Sequence, residues 1–219
     1  MKEMKKLLIL AGLSAVGKTT LAKYITEKDP NFVLVRSATT RAPRGDGHDA
    51  EYVYLSEAEF SAALESGGML EHTEYAGNFY GTPRSEIEDV LGAGKTPLLI
   101  LDVEGVKSIK RAGEYPSLAV YLYDDPNVLE ERLYVRYIGD APTVDGLARF
   151  SKRKEQNIAD ILSLDEFSGS FDLFVRNSEL SSSSDAVLTA LGSDGVPDNG
   201  AAKEELAAIR EYVKAKQKR

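Results

Sequence analysis

Hydrophobic positions fall along the chain in two patterns. Leu7-Leu8-Ile9-Leu10 is apolar without alternation, and so are Pro97 to Leu101 and Leu118 to Tyr123. Unbroken runs of that length read as strands covered on both faces of a parallel sheet. The first begins at Lys6, and the second is tipped by Asp102. Shorter strands are expected at Phe32–Val35 (ending at Ser37), Tyr52–Leu55, Met69–Tyr75 and Phe171–Val175. Helical spacing covers 18–28, 83–91, 127–137, 144–164 and 184–191. Ser56-Glu57-Ala58-Glu59 has the form of a capping box and opens a helix through Leu64. Turns are expected at Asp29-Pro30-Asn31 and at Gly77–Gly81, and Thr39 to His48 reads as a polar loop. Strands alternating with helices define an α/β protein with a mostly parallel central sheet.

The stretch Gly192 to Gly200 has the composition of a linker. Beyond it, 201–219 is a helical extension that places Leu206, Ile209, Tyr212 and Val213 on one face. A helix packed on its own domain or frayed in solvent is the favoured reading; a contact with a second copy or a partner is the alternative.

Composition narrows the classes. A chain of 219 residues fits one α/β domain with an embellishment or a tail. Without cysteine there is no disulfide, thiolate metal site or cysteine nucleophile, as expected of a cytoplasmic protein. Met1 to Lys6 resembles the start of a leader, but the apolar run behind it is short and enters a glycine turn, so a strand is expected. No run approaches the ~20 apolar residues of a membrane span. A net charge of −8 argues against nucleic acid as the partner and leaves room for a small anion held by converging arginines. His48 and His72 have no metal-ligand spacing and are expected at the surface.

Chemistry enters at Gly12-Leu13-Ser14-Ala15-Val16-Gly17-Lys18-Thr19, between the first strand and the first helix. Strand, glycine-rich turn and helix form a phosphate cradle. Backbone N–H groups line it, and the helix start adds its positive dipole end. Lys18 reaches the β- and γ-phosphates, and Thr19 offers a hydroxyl to Mg²⁺ completed by waters. Arg41 and Arg44 flank Pro43 and can reach one anion, which planar guanidinium groups bind in bidentate fashion. Tyr52 and Tyr80 carry phenol donors. Glu71 is the candidate for reading a base, because guanine presents two adjacent donors, N1–H and N2–H₂, to one carboxylate.

Thr39-Thr40-Arg41-Ala42-Pro43-Arg44, Glu51-Tyr52, Glu71, Gly77 to Thr82 and Ile100 to Gly105 follow the P-loop in an order and spacing that resembles guanylate kinase across about 6–192. The resemblance implies a P-loop kinase with a parallel core, a small mixed nucleoside-monophosphate-binding domain and a helical lid. The expected boundaries are a core of 1–36, 95–131 and 155–192, a GMP-binding domain of about 37–94 and a lid of about 132–154. It implies ATP and GMP as substrates, with dGMP an additional acceptor, Mg²⁺ as the cofactor, and a monomer or homodimer. ATP would meet Gly12 to Thr20, Arg132 and Asn177. GMP would meet Ser37, Arg41, Arg44, Tyr52, Glu71, Tyr80, Thr82 and Asp102. Lys18, Arg41, Arg136 and Arg149 would stabilise the transferring phosphoryl.

The chain departs from the family pattern at Ile100, where a carboxylate is usual, at Glu104 for glutamine, at Leu13 and Ala15 for proline and glycine, and in the lid sequence 137–142. Those departures keep two alternatives in view: a related kinase acting on a ribosyl bisphosphate, and a non-catalytic protein-binding module.

Overall fold

The computed structural model describes residues 7–43, 49–75, 77–193, 195 and 197–218. Lys6, Arg44, His48 and Arg219 lie outside the described residues. The chain divides into two compact units, Met1–Ile9 with Ala22–Leu118, and Leu10–Leu21 with Ala119–Arg219. The central strand β1 (Leu7–Gly12) gives its first half to one unit and its second half to the other. It lies in a five-stranded sheet of order β2-β7-β1-β8-β9, formed with β2 (Phe32–Leu34), β7 (Thr96–Ile100), β8 (Ser117–Tyr123) and β9 (Leu173–Arg176). The β2–β7 and β8–β9 pairs are parallel. Leu7 to Leu10 are fully buried, as expected for strands without alternation.

The first unit also holds a small mixed sheet of order β4-β3-β6-β5, made of β3 (Ser37–Thr39), β4 (Tyr52–Tyr54), β5 (Met69–Tyr75) and β6 (Asn78–Pro83). One face packs on α2 (Glu57–Glu65), where Ala38, Phe60 and Met69 form a core flanked by Val53 and Phe79. The expected capping box is present: Ser56 accepts from the Glu59 N–H, and the Glu59 side chain holds the Ser56 backbone.

Two local expectations are corrected here. The stretch 77–81 was expected to be a turn, yet only Gly77 has turn geometry, with φ 72°, and Asn78 onward is strand. The second glycine misleads because it serves packing: a Cβ on Gly81 would lie 2.8 Å from the Glu71 carbonyl and 3.2 Å from the Phe60 ring. The second correction is a helix that the spacing did not disclose, α4 (Val103–Ala112). Asp102 caps its start and the left-handed Gly113 ends it, burying Val106 and Ile109. Gly105 in its first turn hides the helical pattern. α3 (Arg84–Gly92) begins one residue after Pro83, which is its cap.

The second unit carries α5 (Pro126–Tyr137), α6 (Val144–Leu162), the short α7 (Leu164–Phe167), α8 (Leu180–Gly192) and α9 (Gly200–Gln217). α1 (Lys18–Lys28) starts in this unit and ends in the other. Tyr121 anchors an aromatic cluster with Phe167, Phe171 and Phe174, its ring centroid 5.1 to 5.9 Å from theirs. α9 packs on α6 and β9, burying Leu206 and Val213. Before it, the Asn199 side chain accepts from Phe174 N–H and donates to the Asp172 carbonyl, covering the open edge of β9. No helix among the described residues is long and apolar enough to cross a membrane.

Candidate active site

In the second unit, β1 runs into the glycine loop and α1 leaves it. Gly12 has φ 141°, and a Cβ there would sit 2.1 Å from the Leu122 carbonyl on β8. The loop is thus seated directly on the neighbouring backbone, and only glycine permits it. Ala15 is the one described non-glycine residue with positive φ, at 64°. The Lys18 ammonium donates to the Gly12 and Leu13 carbonyls at 2.8 and 3.0 Å, curled over the loop where phosphate oxygens would accept from it. Thr19 and Thr20 follow in the first turn of α1, where N–H groups have no intrahelical acceptor.

Two buried amides hold the loop from outside. Asn177 donates from Nδ2 to the Val16 carbonyl at 2.8 Å, and its own N–H donates to the Tyr123 carbonyl. A Cβ on Gly17 would lie 2.9 Å from that Nδ2, so the loop passes close over Asn177. Asn157, on α6, accepts from Ser14 N–H at 2.6 Å and donates to the Ser14 carbonyl at 3.1 Å. Sequence reasoning missed Asn157. Its signal was a polar residue on the buried stripe of α6, four positions before Ile161.

The expected lid arginines lie on α5 and α6 of the same unit. Arg132 pairs with the buried Asp124 at 3.1 Å, and Arg176 shares that carboxylate. Arg136, one turn on, is exposed with its guanidinium 5.5 Å from the Tyr137 ring centroid. Arg149 is exposed and pairs along its own helix with Asp145 at 2.9 Å. Arg153 went unread, although it shares the stripe of Arg149 and Asn157 at four-residue spacing and is half-buried. The helix turn packs tightly: a Cβ on Gly146 would meet the Tyr137 carbonyl at 2.2 Å.

The first unit gathers Ser37, Tyr52, Glu71, Tyr80 and Thr82 on one face of the small sheet. The register pairs Ser37 with Tyr52, Ala38 with Gly81, and Glu71 with Thr82. Continuing the β3–β6 register sets Ser37 across from Thr82. Because side chains alternate, Tyr52, Ser37, Thr82 and Glu71 form one row on a single face, and Tyr54, Thr39, Tyr80 and Thr73 form the next. The opposite face is the apolar one that meets α2. A register shift between Met69 and Glu71 sets Glu71 in that row.

At one end of the row stands a carboxylate pocket. Glu71 is 7% exposed and accepts from the Thr82 hydroxyl at 2.6 Å. Burial, assisted by the charge of Asp102, pushes its carboxyl up to about 7 against the Thr82 hydrogen bond. Asp102 accepts from Gly105 N–H at 2.7 Å, and a Cβ on Gly105 would lie 3.1 Å from Glu71 Oε2 and 3.3 Å from Asp102 Oδ1. Gly105 thus makes room for two carboxylates. Ile100 ends β7 half-buried. At the other end stands a cation among phenols. The Arg41 guanidinium lies 5.2 Å from the Tyr52 ring and 5.9 Å from the Tyr54 ring, and Tyr80 meets Tyr52 edge-on at 6.4 Å. Tyr54 is a further residue that sequence reasoning left unassigned. Arg44 lies outside the described residues.

A parallel α/β sheet whose central strand enters a lysine-bearing glycine loop at a helix start defines a P-loop nucleotide-binding protein. The guanylate kinase family model matches residues 4–193, and the chain belongs to the guanylate kinase family. It is 43% identical to a guanylate kinase of Prochlorococcus marinus (strain MIT 9312) over 136 residues, 61% of this chain and 73% of that one. It is 33% identical to one of Gloeobacter violaceus over 201 residues, 90% and 92% of the two chains. A crystal structure of guanylate kinase from Anaplasma phagocytophilum superposes with a TM-score of 0.62 over 87% of this chain and 86% of that one, at 24% identity, a likeness of fold. The family match ends before α9.

Proposed function

We propose that the protein transfers the γ-phosphoryl of ATP to GMP, with dGMP also accepted, by direct in-line displacement. A phosphate oxygen of GMP bonds to the γ-phosphorus, the bond to the β–γ bridging oxygen breaks, and ADP leaves. The observation that carries this reading is the row on the small sheet: a buried carboxylate with its threonine at one end, an arginine among tyrosines at the other. That arrangement complements the two donors of a guanine edge and the acceptor oxygens of a monophosphate. The ribosyl bisphosphate alternative has no use for the Glu71–Thr82 pair. The non-catalytic alternative has no use for Lys18.

Each residue then has one task. Glu71 accepts from guanine N1–H and N2–H₂, and Asp102 adds an acceptor. Ser37 and Thr82 supply hydroxyls at the base. Arg41, Arg44, Tyr52 and Tyr80 hold the acceptor phosphate. Lys18 exchanges its carbonyl partners for β- and γ-phosphate oxygens. Arg132, Arg136 and Arg149 face the triphosphate from the lid, which excludes water as it closes. Asn177 supports the loop under ATP. Mg²⁺ would enter with ATP: Thr19 is the residue that would hold it, with waters completing its shell. The ion would supply charge neutralisation at the phosphates.

The test is a coupled assay with ATP, Mg²⁺ and a single nucleoside monophosphate. Rapid ADP and GDP formation with GMP is the expected result. No turnover with GMP, alongside turnover with a ribosyl bisphosphate, would replace this reading with the other kinase.

A further inference from the structure

The two peptide units that flank Ser14, in the glycine loop, are both held by one side chain. Asn157 reaches it across 143 residues of sequence, accepting from its N–H and donating to its carbonyl. Asn157 is 6% exposed. Asparagine is a poor helix former, and an apolar residue would serve the buried stripe of α6 better. A buried amide is retained at such a position when its hydrogen bonds set a geometry.

We infer that Asn157 is a positioning residue for the ATP loop. By holding the peptide units on both sides of Ser14 it fixes the backbone turn at that residue, so the N–H groups that follow from Ala15 to Thr19 keep their concave arrangement. The loop is held from its other side at Val16 by Asn177. The Asn157 bonds tie α6, which carries Arg149 and Arg153, to the loop. Ser14, Asn157 and the two arginines all lie in the second unit, whereas the guanine and phosphate row lies in the first. The effect of losing Asn157 should therefore fall on ATP and not on GMP. This inference rests on the ATP-binding reading above.

The experiment compares the wild type with Asn157→Ala, Asn157→Asp and Ile161→Ala. Ile161→Ala opens the same helix face without touching the loop. Calorimetric ADP binding, KM for ATP, KM for GMP and thermal stability are measured for each. Asn157→Ala should weaken ADP binding and raise KM for ATP by about tenfold, the scale of one buried hydrogen-bonded group, with KM for GMP within about twofold. Asn157→Asp, of the same shape, loses the donor to the Ser14 carbonyl and should weaken ADP at least as much. Ile161→Ala should lower thermal stability while ADP affinity stays within about twofold. Unchanged ADP affinity in both Asn157 variants would overturn the inference, as would an equal loss in Ile161→Ala. A wild type that binds no ADP would instead overturn the ATP reading on which it rests.

Discussion

The burial of Glu71 carries a cost that its proposed role explains. A glutamate in the unfolded chain ionises near its ordinary value, whereas in the fold burial pushes it up to about 7. The native state therefore holds its proton longer. Stability is full below the unfolded pKa and is lost as pH rises through about 7, by ~3 kcal/mol in total. Glu71→Gln keeps an acceptor for Thr82 and removes the charge. It should stabilise the protein by about 1–3 kcal/mol at pH 8 and by little at pH 5, read by urea unfolding at the two pH values. A gain that is equal at both pH values would mean the carboxyl is not strained by burial. Gly12 makes the opposite case: Gly12→Ala drives a Cβ onto the Leu122 carbonyl. A loss of about 3 kcal/mol or more is expected in the same unfolding measurement. The residues proposed to make chemistry could be picked out in the sequence, because Lys18, Arg41, Glu71 and the tyrosines stand out by type and spacing. Asn157 and Tyr54 could not, since each meets its partner, the Ser14 backbone or the Arg41 guanidinium, only through the fold.

At the scale of elements, the strands of unbroken apolar residues and the capped helix α2 could be read directly. Elements whose glycines serve packing were misread or missed, β6 through Gly81 and α4 through Gly105. The row Tyr52, Ser37, Thr82 and Glu71 could not be foreseen, because it depends on cross-strand register and on the shift in β5. Register also explains why two tyrosines two residues apart on β4 both meet Arg41. On α6 the geometry ranks two arginines. Arg153 stands one turn, about 6 Å along the axis, from Asn157 and its grip on the loop; Arg149 stands two turns away. Arg153→Ala should therefore lower kcat more than Arg149→Ala, by about tenfold or more against the wild type. Steady-state kinetics at saturating ATP and GMP check the order, and a larger loss in Arg149→Ala would reverse it.

For the whole molecule, the family match covers 4–193 and leaves α9 outside it. α9 buries Leu206 and Val213, and its Glu205 accepts from the Tyr123 hydroxyl at 2.9 Å and pairs with Arg176. Removing residues beyond Ser193 strips these contacts and bares the edge of β9. A loss of about 3–5 kcal/mol follows from the buried side chains, lowering Tm by roughly 10 °C in a thermal scan. Unchanged Tm would mean α9 adds nothing to its unit. The two units divide the proposed chemistry, with ATP on the glycine loop of one and the guanylate row on the other. In the proposed reaction, base selection centres on Glu71, the buried carboxylate of the small sheet, with Asp102, Ser37 and Thr82 beside it. The direct measurement is kcat/KM for GMP and for AMP, in the wild type and in Glu71→Gln, with ATP and Mg²⁺. The wild type should favour GMP by about 10⁴, and Glu71→Gln should lose most of that ratio. A wild type indifferent to the base, or a variant that keeps full preference, would contradict the assignment of Glu71 as the reader of guanine.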